Sequence, residues 1–218
     1  MKVAIITVNM GYMDKEPELM EQSIPIDFYR FNDANFPPRI CSMTSRLQAR
    51  IPKCFGWQMV PGYDYYIWID SSFAIRNKDT AKYYVEQCKG YDMAFFKHPK
   101  RESVKEEVEF IKEKLGQRNY YLEPRYKNEL GDELVAEMYA DKTFKDNTLI
   151  ADAAFVYKNN EKVHALMKEW WYWISRYHSN DQLGLPYAIH KSDCKVKIIN
   201  QHYLYTPYIT YTRGAWRK

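Results

Sequence analysis

The run Tyr65-Tyr66-Ile67-Trp68-Ile69-Asp70-Ser71-Ser72 sets one carboxylate and two hydroxyls at the end of an apolar stretch. An oxygen-rich strand end of this kind suits a hard divalent cation. Mg²⁺ or Mn²⁺ takes one or two protein carboxylates and completes its shell with diphosphate oxygens and water. The competing reading is an aspartate that caps the turn after a strand. Arg46 and Arg50 share one helical face by spacing, and Lys53 continues that basic surface beyond Pro52. Guanidinium groups match phosphate geometry with paired donors, so the set could clamp a diphosphate; a solvated basic face is the alternative. Val8 and Asn9 close one extended run and Asp33 another, positions that suit contacts to a base or ribose and equally suit turn residues.

These groups need elements to hold them. Residues 1–10 form a β-branched run with no helical period before Gly11, which reads as a buried first strand. Residues 26–31, 65–69, 92–96, 149–157 and 196–199 read as further strands. Ser45 is placed to cap a short helix carrying Arg46, Leu47 and Arg50, which Pro52 must end or kink. Ser103 and Glu106 have capping-box spacing, and Val104, Val108, Ile111 and Leu115 recur on one face behind them. Val163, Leu166, Met167, Trp170, Ile174 and Tyr177 mark a second amphipathic helix. Ser179-Asn180-Asp181-Gln182 interrupts that pattern before residues 183–189 resume it. Residues 118–146 are polar and tyrosine-rich, a loop with one short helix at 133–139, and residues 203–218 form an aromatic, basic tail. Alternating strands and helices predict an α/β fold with a mostly parallel sheet and ligands at the carboxyl ends of its strands. No repeat or linker divides the chain, so one domain over residues 1–218 is expected, whether or not it was cut from a longer protein.

Aromatic residues make up 17% of the chain, with 20 Tyr and 6 Trp, which excludes a disordered segment. Flat rings serve core packing and the faces of sugars alike. The 32 Lys and Arg stand interspersed with 28 Asp and Glu, leaving a net charge of +4. That pattern argues against a nucleic-acid partner, which calls for a concentrated basic stripe, and is compatible with an anionic small ligand. Cys41, Cys54, Cys88 and Cys194 lack CxxC spacing, and the start of the chain has no secretory pattern, so free thiols in a reducing cytoplasm are expected. No apolar run approaches the roughly 20 residues of a membrane-spanning helix.

The arrangement resembles the GT-A glycosyltransferase superfamily, in which a strand ends in a DxD-type motif that holds metal and donor, here in the degenerate form Asp70-Ser71-Ser72. Thr148 to Lys158 is similar to the strand beneath the donor sugar in glycogenin-like enzymes, and Asn180-Asp181-Gln182-Leu183 to their Asp-Gln motif. The order of Tyr63-Asp64-Tyr65-Tyr66-Ile67-Trp68-Ile69-Asp70, His98 with Arg101, Trp170-Trp171 and Asp181-Gln182-Leu183 resembles, over roughly residues 40 to 190, the glycosyltransferase-like domain of plant mucilage and turgor-regulation proteins. The whole chain is also similar to the amino-terminal domain of a chlorovirus glycosyltransferase that acts on a capsid protein. The resemblance implies transfer of a hexose or deoxyhexose from a UDP-sugar to a glycan or glycoprotein, with retention of configuration favoured over inversion. It implies Mn²⁺ or Mg²⁺ on Asp70, Ser72 and His202, donor contacts from Ser71 and Gln182, and Asp181, or alternatively Asp152, acting at the anomeric carbon. His98 and Arg101 are further candidates for acceptor or phosphate contact. The compartment implied is the cytoplasm, that of the host if the chain is viral. A nucleotidyltransferase would share sheet and metal, but Asn9-Met10-Gly11-Tyr12 is no Gly-rich phosphate loop. A carbohydrate-binding module would not need Asp70 and Asp181 together.

Overall fold

The computed structural model describes residues 1–15, 18–119 and 121–212. β1 (Val3–Asn9) is buried at every position, because its alternate side chains feed two different cores. Ala4, Ile6 and Val8 enter one, Val3 and Ile5 the other. A strand buried on both faces reads as a continuous apolar run, which is why no alternation marks this segment. β2 (Asp27–Asn32) is the partly exposed edge. It is followed by α1 (Ser45–Met59), β3 (Tyr65–Ile69), the two-residue β4 (Phe73–Ala74), α2 (Thr80–Gln87) and β5 (Met93–Lys97). α3 (Val104–Gly116), α4 (Glu123–Tyr126) and α5 (Gly131–Ala140) lead to β6 (Ile150–Lys158). α6 (Glu161–Arg176), α7 (Asp181–His190), β7 (Val196–Ile199) and β8 (Thr210–Tyr211) complete the order.

Six strands form one sheet in the order β2-β1-β3-β6-β5-β7. β1 is parallel to β2 and β3, and β5 to β7, whereas β6 runs antiparallel to both its neighbours. The sheet is therefore mostly parallel, as expected, with one reversed strand inside it. That reversal brings the start of β6 to the edge where β3 ends. Ile69 stands opposite Ala154, and the Asp70 N–H donates to the Ala153 carbonyl at 2.8 Å. Asp152 and Asp70 consequently share one sheet edge.

Helices α1, α6 and α7 cover one face over Tyr66, Trp68 and Phe155. α2 covers the other through Ala81 and Tyr84, beside Ile67, Val156 and Phe96. A third cluster joins α3 and α5 to α7 through Val108, Ile111, Leu134, Met138 and Leu183. One local expectation changes and another is narrowed. Thr44, not Ser45, caps α1, its hydroxyl accepting from the Leu47 N–H at 3.1 Å. Of the two outcomes expected at Pro52, the helix does not end: it continues to Met59 and kinks three residues on, at Phe55 (φ −121°, ψ 19°). Pro52, Lys53, Cys54 and Gly56 are all buried, and packing against β1 and α6 holds the segment despite the hydrogen bond a proline forfeits. β8 pairs antiparallel with β4, which straps part of the tail across the end of β3. The rest of that tail, residues 213–218, lies outside the described residues.

The junction of α6 and α7 depends on a close approach. A Cβ added at Gly184 would lie 2.6 Å from Trp173 Cβ, whereas one at Gly116 would meet nothing within 4 Å. Gly184→Ala is expected to cost about 1–3 kcal/mol through overpacking, lowering the melting temperature by roughly 2–4 °C for each. Gly116→Ala is expected to leave it unchanged or raise it. Thermal denaturation of both variants checks this; equal effects would refute the close-packing account.

Candidate active site

Beneath the edge where β3 ends and β6 begins lies a buried lysine. Lys53 is 1% exposed, and its Nζ stands 2.6 Å from Asp181 Oδ2, 3.2 Å from Asp152 Oδ2 and 3.7 Å from Asp70 Oδ1. The rings of Trp68, Trp170 and Phe155 surround the ammonium at 5.4, 5.7 and 5.9 Å, distances at which cation and ring attract. Arg50 Nε approaches the same Asp181 Oδ2 at 2.9 Å, in ion-pair contact but out of line for a hydrogen bond. Each aspartate is also held through its own neighbourhood. The Trp68 indole donates to Asp70 Oδ1 at 2.7 Å, a bond available because residues two apart on a strand share a face. The Trp170 indole donates to the Asp181 carbonyl at 2.8 Å. Asp181 opens α7, where the helix dipole favours a negative charge.

Burial and charge drive these groups apart in acidity. Burial opposes ionisation of Asp181, but Arg50, Lys53 and Arg46 overcome it and hold the carboxyl well below its usual range. Asp152 goes the other way. Burial and the Asp181 charge outweigh the attraction of Lys53, and its carboxyl is pushed up to about 8. Burial also works to strip the proton from Lys53, and the carboxylates of Asp152, Asp181 and Asp70 reverse that, raising it above lysine's ordinary value. Near neutral pH the site therefore holds one protonated and one ionised carboxyl side by side, a division that marks acid and base roles in many enzymes.

Above this floor opens a cavity of about 690 Å³, ample for a cofactor-sized ligand. Asp70, Asp152 and Asp181 reach it, as do Val8, Ser72 and Gln182. Arg46, Arg50 and Arg101 form its cationic wall. Aromatic rings carry two of these guanidiniums: Arg46 bonds the Tyr126 hydroxyl and lies 4.8 Å over that ring, and Arg101 lies 4.0 Å over Phe110 while pairing with buried Glu107. Lys53 does not extend a basic surface, because α1 continues past Pro52 and turns it inward. The Asn9 side-chain amide donates to the Asp14 carbonyl at 2.9 Å and accepts from the Asp14 N–H at 3.0 Å, the Ser71 hydroxyl donates to the Asp14 carboxylate at 2.6 Å, and Asp33 accepts from the Gly11 N–H at 2.8 Å. These four shape the loop after β1 and do not line the cavity. Asp14 and Tyr126, which carry much of this framework, had no motif to point to them.

Asp70 is the best placed oxygen ligand for a cation. Its side chain is 33% exposed, and with Oδ1 turned to Trp68 and Lys53 the other oxygen remains for a ligand. Among the described residues no group of three or more His, Cys, Asp or Glu is arranged to hold a metal. Asp70 with Ser72 therefore fits only the mode in which diphosphate and water supply most of an Mg²⁺ or Mn²⁺ shell. His202 does not line this cavity. Its Nδ1 accepts from the Leu204 N–H at 3.2 Å, and it lines a second hollow of about 300 Å³ with His98 and Arg101. His98 itself is lowered to about 4 by burial and by Arg101, so it is neutral there.

The acidity of Asp152 yields a stability signature. An unfolded aspartate titrates near pH 4, whereas the folded one holds its proton to about 8. The stability this proton confers is fully present below about pH 4 and lost progressively until pH passes 8. The melting temperature of the wild type is expected to fall between pH 5 and pH 8 relative to Asp152→Asn, which has no such group to titrate. Parallel curves would show that Asp152 is ionised throughout.

The profile of the TOD1/MUCI70, glycosyltransferase-like domain matches residues 40–205. A comparison with curated proteins yields no match. Among solved structures, a glycosyltransferase involved in the glycosylation of the major capsid of PBCV-1 aligns with a TM-score of 0.49 at 7% identity, over 97% of this chain and 93% of that one. The bifunctional glycosyltransferase WbbM aligns with a TM-score of 0.44 at 13% identity, over 80% of this chain and 28% of that one. The family match spans most of the chain, including Arg46, Asp70, Asp152 and Asp181. The chain belongs to the TOD1/MUCI70 glycosyltransferase-like domain family, and with it to the enzymes of the glycosyltransferase kind.

Proposed function

We propose that the cavity binds a UDP-sugar and that the enzyme transfers its hexose or deoxyhexose to a glycan or glycoprotein acceptor. The observation that carries this reading is the meeting, in one cavity, of a cationic wall with the ionised Asp181 and the part-exposed Asp70. Arg46 and Arg50 would engage the diphosphate through charge-assisted hydrogen bonds and offset the charge of the departing nucleotide. Arg46 lines the cavity, which sets its guanidinium beside the space such an oxygen would occupy. The Asp181 carboxylate would favour the positive charge that develops at the anomeric carbon, an interaction that strengthens in the transition state. Asp152, protonated near neutrality, would donate to a sugar hydroxyl. A divalent cation on Asp70 and Ser72 would add further charge stabilisation at the diphosphate. Retention of configuration is the stereochemistry proposed, and NMR of the first-formed anomer tests it. No helix among the described residues is long and apolar enough to cross a membrane, and the four cysteines are unpaired; the reducing cytoplasm is the compartment we assign in this reading.

Calorimetric titration tests the donor. UDP is expected to bind more tightly than uridine, and Arg46→Ala is expected to weaken UDP by about tenfold or more while leaving uridine unchanged. Mn²⁺ is expected to tighten UDP binding by the wild type and not by Asp70→Asn. Equal losses for both ligands would remove Arg46 from the phosphate site, and equal metal enhancement in both proteins would remove Asp70 from the metal.

Turnover tests Asp181. Asp181→Asn keeps the shape of the side chain and loses the charge, so the melting temperature is expected to fall as buried Lys53 and Arg50 lose their closest carboxylate, while UDP affinity changes little and UDP release from a UDP-sugar falls by about 100-fold or more. Retained turnover would transfer the role to Asp152.

A further inference from the structure

Lys53 is the one cation of this group that cannot reach a ligand. It does not line the cavity, its ammonium is nearly without solvent, and three aromatic rings close around it. Its hydrogen bond goes to Asp181 Oδ2, the same oxygen that Arg50 touches. Both cations thus hold one side of this carboxylate. Oδ1 has no protein partner among the described residues, and Asp181 lines the cavity. A carboxylate at the start of a helix has two soft torsions, and nothing in α7 itself selects among them, because Asn180 makes no side-chain cap and the Trp170 indole holds only the Asp181 backbone. The element that selects is α1, through Lys53 and Arg50.

From this geometry we infer that Lys53 is a positioning residue of the transfer reaction: its sealed ammonium orients Asp181 so that Oδ1 faces the donor sugar, without itself touching the donor. The inference rests on the role given above to Asp181. It differs from a diphosphate contact, which the basic spacing of Arg46, Arg50 and Lys53 suggests and which needs an accessible ammonium. A side chain oriented by a packed neighbour is the usual support for a precisely held reacting group.

A double-mutant cycle over Lys53→Met and Asp181→Asn tests it, using UDP and uridine as binding probes and UDP release from UDP-glucose and UDP-galactose as the turnover probe. Met preserves length and apolar packing while removing the charge. Lys53→Met is expected to lower turnover about 100-fold and leave UDP affinity within about threefold. Added to Asp181→Asn, it is expected to lower turnover less than about threefold further, because the group it acts through is already gone. The melting temperatures are read in the same cycle: the loss in the double variant is expected to be smaller than the sum of the two single losses by about 3 °C or more, because neither variant's stranded charge remains. Multiplicative turnover losses, additive melting losses, or a tenfold loss of UDP affinity with uridine unchanged would each overturn the proposal. If the wild type releases no UDP from either sugar, neither of these UDP-hexoses is the donor, a result that bears on the donor reading alone. The coupling of Lys53 to Asp181 is then judged from the melting temperatures and UDP affinity alone.

Discussion

An ammonium with almost no access to water, set among three carboxylates, is the constraint around which this molecule is arranged. Taking such charges out of water costs several kcal/mol each, and their mutual attraction offsets that only when the geometry is good. Apolar residues of similar volume would serve stability as well or better. Removing one partner is a different matter, since it strands a buried charge at about 3–5 kcal/mol. The cluster is therefore poor evidence for stability and good evidence for specification. It ties α1, β3, β6 and α7 together, because their arrangement brings Lys53, Asp70, Asp152 and Asp181 to neutralising distance.

Two features of the fold make that arrangement attainable. The reversed β6 carries Asp152 to the sheet edge where β3 delivers Asp70. α1 passes through Pro52 without ending, so its buried face turns Lys53 down toward the sheet while Arg46 and Arg50 stay at the cavity. The aromatic excess of the chain finds its use at the same place. Trp68 and Trp170 spend their indole donors on Asp70 and on the Asp181 carbonyl, and Tyr126 and Phe110 support Arg46 and Arg101. These rings pack a core and fix charged groups at once, and the charge–ring contacts are stronger for being partly desolvated.

The consequence is a cavity floor in which neighbouring carboxyls differ in protonation. Asp181, next to two cations, is ionised; Asp152, equally buried but next to Asp181, keeps its proton to about 8. The difference arises because one lysine cannot fully neutralise two buried neighbours, and the cation-rich side claims the negative charge. Under the function proposed above, a fixed negative charge beside a guanidinium wall would favour separation of an anionic leaving group from a cationic sugar centre.

The local elements were legible in the sequence because their causes are local. Doubly buried strands show as apolar runs, Ser103 accepts from the Glu106 N–H at 3.1 Å as its capping-box spacing requires, and the apolar period of residues 163–177 falls on α6. The strand-end position of Asp70 and the helix-start position of Asp181 follow from the same short-range patterns. What tertiary structure alone decided is which of these groups meet. Lys53 and Asp181 are 128 residues apart, and the direction of β6, which brings Asp152 to them, depends on its pairing with β3 and β5. Local spacing could not show that burial would carry α1 through Pro52 and turn Lys53 inward. Nor could it show that Asn9, Asp33 and Ser71 would satisfy a loop, or that His202 would stand in a separate hollow. Hydrogen-bonding capacity is written in a residue's type, but the partner that consumes it is chosen by packing across the whole sheet.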